Sequence, residues 1–67
     1  MTADKYIASI RNPDKKAYAE LYWAWLSSGK KGIEPSRGSL SFMAAQAVRL
    51  TLYDALAATW WKMLDNG

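Results

Sequence analysis

The fold is decided by one long stretch, Ser39–Asp65, which reads SLSFMAAQAVRLTLYDALAATWWKMLD. It contains no glycine and no proline, and six of its residues are alanine, the strongest helix former. As one helix it would be roughly 40 Å long, at a rise of 1.5 Å per residue. We therefore predict a single long helix over residues 39–65. Serines 36, 39 and 41 are suitable N-caps, and Asn66 and Gly67 are residue types that close a helix.

Helical periodicity distributes apolar residues around most of this helix. One face combines aromatic and aliphatic residues with a single amide: Met43, Gln46, Leu50, Tyr53, Ala57, Trp60 and Leu64, flanked by Phe42, Leu56 and Trp61. The opposite side is also apolar, with Val48, Leu52, Ala55 and Met63. A helix of this kind needs neighbours on more than one side.

Two shorter helices precede it. Thr2 can cap a helix over about residues 3–11, which should stop before Pro13 because a residue preceding proline avoids the α region. Asn12, Pro13 and Asp14 form a helix start, which predicts a second helix over about 13–28. Its expected buried residues share one face: Tyr18, Leu21, Tyr22, Trp25 and Leu26.

A loop over residues 29–38 joins the second and third helices. It is rich in glycine and charge, and it is long enough to let the two helices pack antiparallel. We expect Ile33 to tuck beneath it as an apolar plug. Gly29, Lys30, Lys31 and Gly32 match the GxxG pattern of KH domains, but those domains also need a sheet and no segment of the chain predicts a strand.

Length and composition predict one domain over residues 1–67 that gains stability by association. A single core of 67 residues is only marginally stable alone, and the chain contains neither cysteine nor histidine to supply disulfides or metal ligands. We therefore predict an all-α protein. It would be a helical hairpin with a short N-terminal helix and one long C-terminal helix, completed as a dimeric helical bundle, with no cofactor.

The basic excess lies in the first half of the chain. Residues 1–38 carry seven Lys or Arg against four Asp or Glu, whereas residues 39–67 carry two of each sign. Lys30, Lys31 and Arg37 on the loop are candidate contacts for an anion or for nucleic acid. The alternative is that these charges are only solvated.

Several residues are candidates for a partner or dimer interface. Trp23 lies about 140° from the buried face of the second helix, so it either packs on the first helix or anchors a partner.

Gln46 and Arg49 either reach water at a bundle end or bond across a dimer axis. The adjacent indoles of Trp60 and Trp61 cannot face the same way. The predicted interface residues are Trp23, Phe42, Gln46, Arg49, Tyr53, Trp60 and Trp61.

No set of residues predicts an enzyme, because histidine and cysteine are missing and the carboxylates form no pair or metal-ligand spacing. Surplus aromatics without catalytic groups favour a small interaction or regulatory module that docks on a protein. The alternatives are nucleic-acid binding through the basic loop and peripheral membrane binding. Charges interrupt the long apolar stretch and no signal peptide is visible, so we predict a cytoplasmic protein without a membrane span.

Overall fold

The computed structural model describes residues 2–66, with side chains described for residues 2–59. It contains three helices: α1 (Ala3–Ser9), α2 (Pro13–Ser27) and α3 (Phe42–Asn66). No strand occurs among residues 2–66. The all-α prediction is confirmed.

The two predicted N-caps of α1 and α2 make their capping bonds. Thr2 Oγ1 accepts a hydrogen bond from the Lys5 amide at 3.3 Å. Asn12 Oδ1 accepts from the amides of Asp14 and Lys15 at 2.9 and 3.2 Å, with Pro13 in the first turn. Each bond satisfies an amide that has no partner within its helix.

The N-cap of α3 is Ser41, the last of its three candidate serines. Its Oγ accepts a hydrogen bond from the Ala44 amide at 3.1 Å, so the helix begins at Phe42 rather than near residue 39. The helix extends to Asn66, and the predicted closing residue Gly67 lies outside the described residues.

Gly29 and Lys30 terminate α2. The Gly29 amide donates to the Leu26 carbonyl and the Lys30 amide donates to the Trp25 carbonyl, at 3.1 and 3.0 Å. Gly29 has φ +82°. This is the Schellman arrangement, in which glycine takes the left-handed conformation just after the helix. The first glycine of the GxxG sequence is therefore explained by helix termination.

Helices α2 and α3 run parallel. Near their starts, the Ser39 hydroxyl lies 3.4 Å from the Asp14 carboxylate. Further along both helices, the rings of Tyr22 and Tyr53 lie 6.2 Å apart. The predicted antiparallel packing of these helices is therefore wrong. The antiparallel hairpin is instead formed by α1 and α2, since Ala3 and Trp23 border one groove while Ala8 and Lys16 border another.

The parallel arrangement is possible because the connection between α2 and α3 returns along α2. We call this connection, residues 28–41, the strap. Trp25 Nε1 donates to the Gly32 carbonyl at 3.3 Å, and the Tyr22 hydroxyl donates to Glu34 Oε1 at 2.5 Å. The strap thus passes the end of α2, then its middle and finally its start, where Ser39 meets Asp14.

Leu40, and not Ile33, is the buried apolar residue of the strap. Ile33 is 94% exposed, so its prediction as a plug is wrong, whereas Leu40 belongs to the core. The physical reason is the alternation of side chains in an extended chain. Gly32 and Glu34 both bond toward α2, which leaves Ile33 between them pointing to solvent.

The core lies where the three helices meet. On α2, Tyr18, Tyr22 and Leu26 are buried as predicted, but Leu21 is 61% exposed and Ala19 is buried instead. The remaining buried residues come from α1, the strap and α3: Ala3, Ile7, Leu40, Ala45, Val48 and Leu52. Within the described part of the chain, no helix is long and apolar enough to cross a membrane.

Candidate protein-docking surface

One face of α3 is left uncovered by the rest of the chain. We call it the α3 strip and define it by Met43, Gln46, Leu50, Asp54 and Ala57, all of which are exposed. Met43 is 80% exposed and Leu50 is 58% exposed. Four of these residues, all but Asp54, belong to the aromatic-containing face predicted from the sequence.

Helical geometry places these five side chains on one narrow line. At about 100° per residue, Met43 and Ala57 lie about 20° either side of Leu50, and Gln46 and Asp54 lie about 40° either side of it. Met43, Leu50 and Ala57 also recur every seven residues, the spacing of a coiled-coil seam. The strip spans about 21 Å along the helix axis, at 1.5 Å per residue.

The face of α3 that meets the core lies on the other side of the helix. Val48 and Leu52 are fully buried there, about 160° round the axis from Leu50. The chain thus covers one of the two apolar faces predicted for this helix and leaves the other open.

Phe42 and Arg49 border the strip near the start of α3. Phe42 is 59% exposed, and the guanidinium carbon of Arg49 lies 5.8 Å from the centre of its ring. The Arg49 charge also acts on Tyr18, where it opposes the rise in pKa that burial causes. Arg49 therefore lies over the Phe42 ring and near enough to Tyr18 for its charge to act there.

Tyr53 lies between the strip and the strap. Its ring packs edge-on against Tyr22, the two hydroxyls are 3.4 Å apart, and Lys30 Nζ lies 5.3 Å from its ring centre. The ring and the hydroxyl of Tyr53, a predicted interface residue, thus make contacts within the chain. Its position nevertheless leaves it at the edge of the α3 strip.

Tyr22 is the centre of an aromatic cluster beneath the strap. Its ring lies 5.5 Å from that of Tyr18 and 5.3 Å from that of Trp25. Burial raises the pKa of Tyr22, and its hydrogen bond to Glu34 raises that pKa further because the bond requires the phenolic proton. Sequence reasoning missed Glu34, since no local pattern distinguishes it from other loop acids.

The three cations predicted to contact an anion do not converge. Lys30 lies over Tyr53, whereas Arg37 Nη1 donates to the Leu40 carbonyl at 3.1 Å near the other end of the strap. Lys31 is exposed. Glu34 lies between the two ends and places a negative charge in the same segment.

Trp23 packs toward α1, which was one of the two alternatives for it. It is half-buried and packs against the core. Together with Ala3, Asp4 and Ala55 it borders a shallow groove of about 280 Å³. The small side chains of α1 and α3 allow the indole to reach the core from the side.

The other predicted interface residues divide into two groups. Gln46 is exposed on the strip. The side chains of Trp60 and Trp61 lie outside the described residues. Among the described residues, no group of three or more carboxylates is placed to hold a metal ion.

No family model, curated protein or solved structure matches the chain. Any inference about the function of the chain therefore rests on the geometry of its own residues.

Proposed function

We propose that this chain is a non-enzymatic interaction module that docks on a protein partner through the α3 strip. The observation that carries the proposal is the contrast between Leu50, which is 58% exposed, and Leu52, which is fully buried two residues later. Single exposed apolar residues are normal on protein surfaces, but apolar residues that recur along one line of a helix, at Met43, Leu50 and Ala57, favour an interaction site.

The size of the strip is appropriate for docking only if most of its length is used. Burying one large aliphatic side chain contributes about 1.5–3 kcal/mol, whereas association costs roughly 4–15 kcal/mol. Met43 and Leu50 together contribute about 3–6 kcal/mol, which offsets at most the low end of that cost. Phe42, Ala57 and the stems of the polar residues must therefore be covered too, which requires a partner with an elongated apolar surface.

The basic strap offers less support for nucleic-acid binding. A phosphate backbone is bound by cations that face it together. Lys30 and Arg37 are occupied by Tyr53 and by the Leu40 carbonyl, at different ends of the strap. We therefore rank this alternative second.

A site-specific photo-crosslinker tests the docking surface. It would replace Leu50 in one variant and Leu21 in a matched control, because Leu21 is 61% exposed on α2 but lies away from the strip. In the native cells we expect the crosslinker at position 50 to capture a protein and the crosslinker at position 21 to capture none. Adding Met43→Glu to the position-50 variant should abolish its adduct. Equal adducts at both positions, or none at position 50, would overturn the proposal. An adduct with nucleic acid from a crosslinker at Lys31 would favour the alternative.

A further inference from the structure

We infer that the partner of the α3 strip is a second copy of the chain, packed antiparallel about a two-fold axis at Leu50. The inference rests on the proposed function, since both use the same strip. It goes further by assigning the occupant, the orientation and the register of the pairing.

The strip is self-complementary about Leu50. An antiparallel two-fold axis at this residue places residue 50 − n of one copy at the level of residue 50 + n of the other. Met43 then lies level with Ala57 of the second copy, and Gln46 lies level with its Asp54. Within one helix the members of each pair lie on opposite sides of Leu50, so each pair reaches across the middle of the interface and not along one edge.

The chemistry of these pairs is complementary as well. Met43 is a long flexible side chain and Ala57 is a small one, so the first fills the space that the second leaves. The Gln46 amide can donate a hydrogen bond to the Asp54 carboxylate. Leu50 meets its own copy at the centre.

The parallel orientation lacks this complementarity. It would place Met43 beside Met43 and Ala57 beside Ala57, giving a crowded layer and an empty one. It would also bring the two Asp54 carboxylates to the same level and the positive dipole ends of both α3 helices to the same end. Antiparallel packing separates these like charges and opposes the two helix dipoles.

The exposed area of the chain agrees with a second copy. Its accessible surface is 5039 Å². A compact monomer of 7.5 kDa is expected to expose about 4250 Å². The excess, roughly 800 Å², is what each partner contributes to an interface of standard size. The area is therefore large enough for the chain to supply one side of a standard interface.

Single cysteines test the pairing, because the native chain contains none. Under mild oxidation we expect Leu50→Cys to form a disulfide-linked dimer alone, since residues on the axis approach their own copies. Met43→Cys and Ala57→Cys should each remain unlinked alone but should link when mixed. Leu21→Cys is the control and should not link. Linkage of all three strip variants alone would mean a parallel pair, and linkage of none would overturn the inference.

Light scattering separates failure of this inference from failure of the proposed function. We expect a molar mass twice that of the 7.5 kDa chain, halved by Leu50→Glu and unchanged by Leu21→Glu. Because both leucines are exposed, circular dichroism should show the same helix content in both variants. A monomeric native chain would overturn the second copy as partner. If the crosslinker at position 50 still captured a different protein, the docking function would stand.

Discussion

The Tyr22 hydroxyl in the middle of α2 donates a hydrogen bond to the Glu34 carboxylate of the strap at 2.5 Å. Tyr22 is almost completely buried, whereas Glu34 is exposed. The bond therefore joins the centre of the core to the middle of the strap, between the contacts that Gly32 and Ser39 make with the two ends of α2. It holds the strap along α2 and so fixes the side of α2 on which α3 begins.

Removing this hydroxyl should loosen the strap without disturbing the aromatic packing. We expect Tyr22→Phe to lower the free energy of unfolding by about 1 kcal/mol, the usual net value of a hydrogen bond. Urea denaturation followed by circular dichroism would measure it. A double-mutant cycle with Glu34→Ala isolates the pair, and a coupling energy of zero would show that the bond contributes nothing in solution.

The same cluster predicts a loss of stability at alkaline pH. Burial raises the pKa of Tyr22 and of Tyr18 above the 10.0 of free tyrosine, so the unfolded chain releases these phenolic protons first. The stability that the neutral rings supply is present below about pH 10 and is lost as the pH rises further.

We expect the thermal midpoint to fall between pH 10 and pH 11.5, with tyrosine ionisation at 295 nm following the unfolding. Tyr22→Phe is the control, because it removes one of the two shifted groups and should make the fall less steep. A midpoint independent of pH over this range would contradict the burial of these hydroxyls.

Two leucines of α3 should respond very differently to the same substitution. Leu52→Ala removes a fully buried side chain and should cost about 2–5 kcal/mol in the free energy of unfolding. Leu50→Ala alters an exposed side chain and should cost less than about 0.5 kcal/mol. Denaturation should be measured at a concentration at which the chain is monomeric. Similar losses for both variants would mean that α3 presents another face to the core.

The strap offers a second comparison of this kind. Leu40→Ala removes a core side chain and should cost about 2 kcal/mol or more, whereas Ile33→Ala should change stability by less than about 0.5 kcal/mol. Thermal denaturation of the two variants in parallel would check this. A marked loss for Ile33→Ala would restore Ile33 as the apolar plug of the loop.

The positions of the helices could be predicted from the sequence because their signals are local. Capping residues and Pro13 mark the starts of α1 and α2, and each signal depends only on its neighbours. The start of α3 was less certain because three serines compete, and only the contact between Ser41 and Ala44 decides among them.

The direction of α3 and its buried face could not be predicted in the same way. A 14-residue connection permits either orientation, and the choice depends on bonds such as that between Trp25 and Gly32, which join distant positions. Periodicity also finds two apolar faces on α3. Small residues decide between them, since Ala19 of α2 and Ala45 of α3 are fully buried and let the two helices approach closely.

The return of the strap along α2 also affects how quickly the chain folds. Tyr22 and Tyr53 touch although 31 residues separate them, so the contact between the main helices has a higher contact order than in an up-and-down bundle. The loop must close before that contact gains any free energy. We therefore expect the rate of folding to depend on the stiffness of residues 28–41 more than on the helix propensity of α3. Substitutions that make the strap more flexible should slow folding even where they leave every native contact intact.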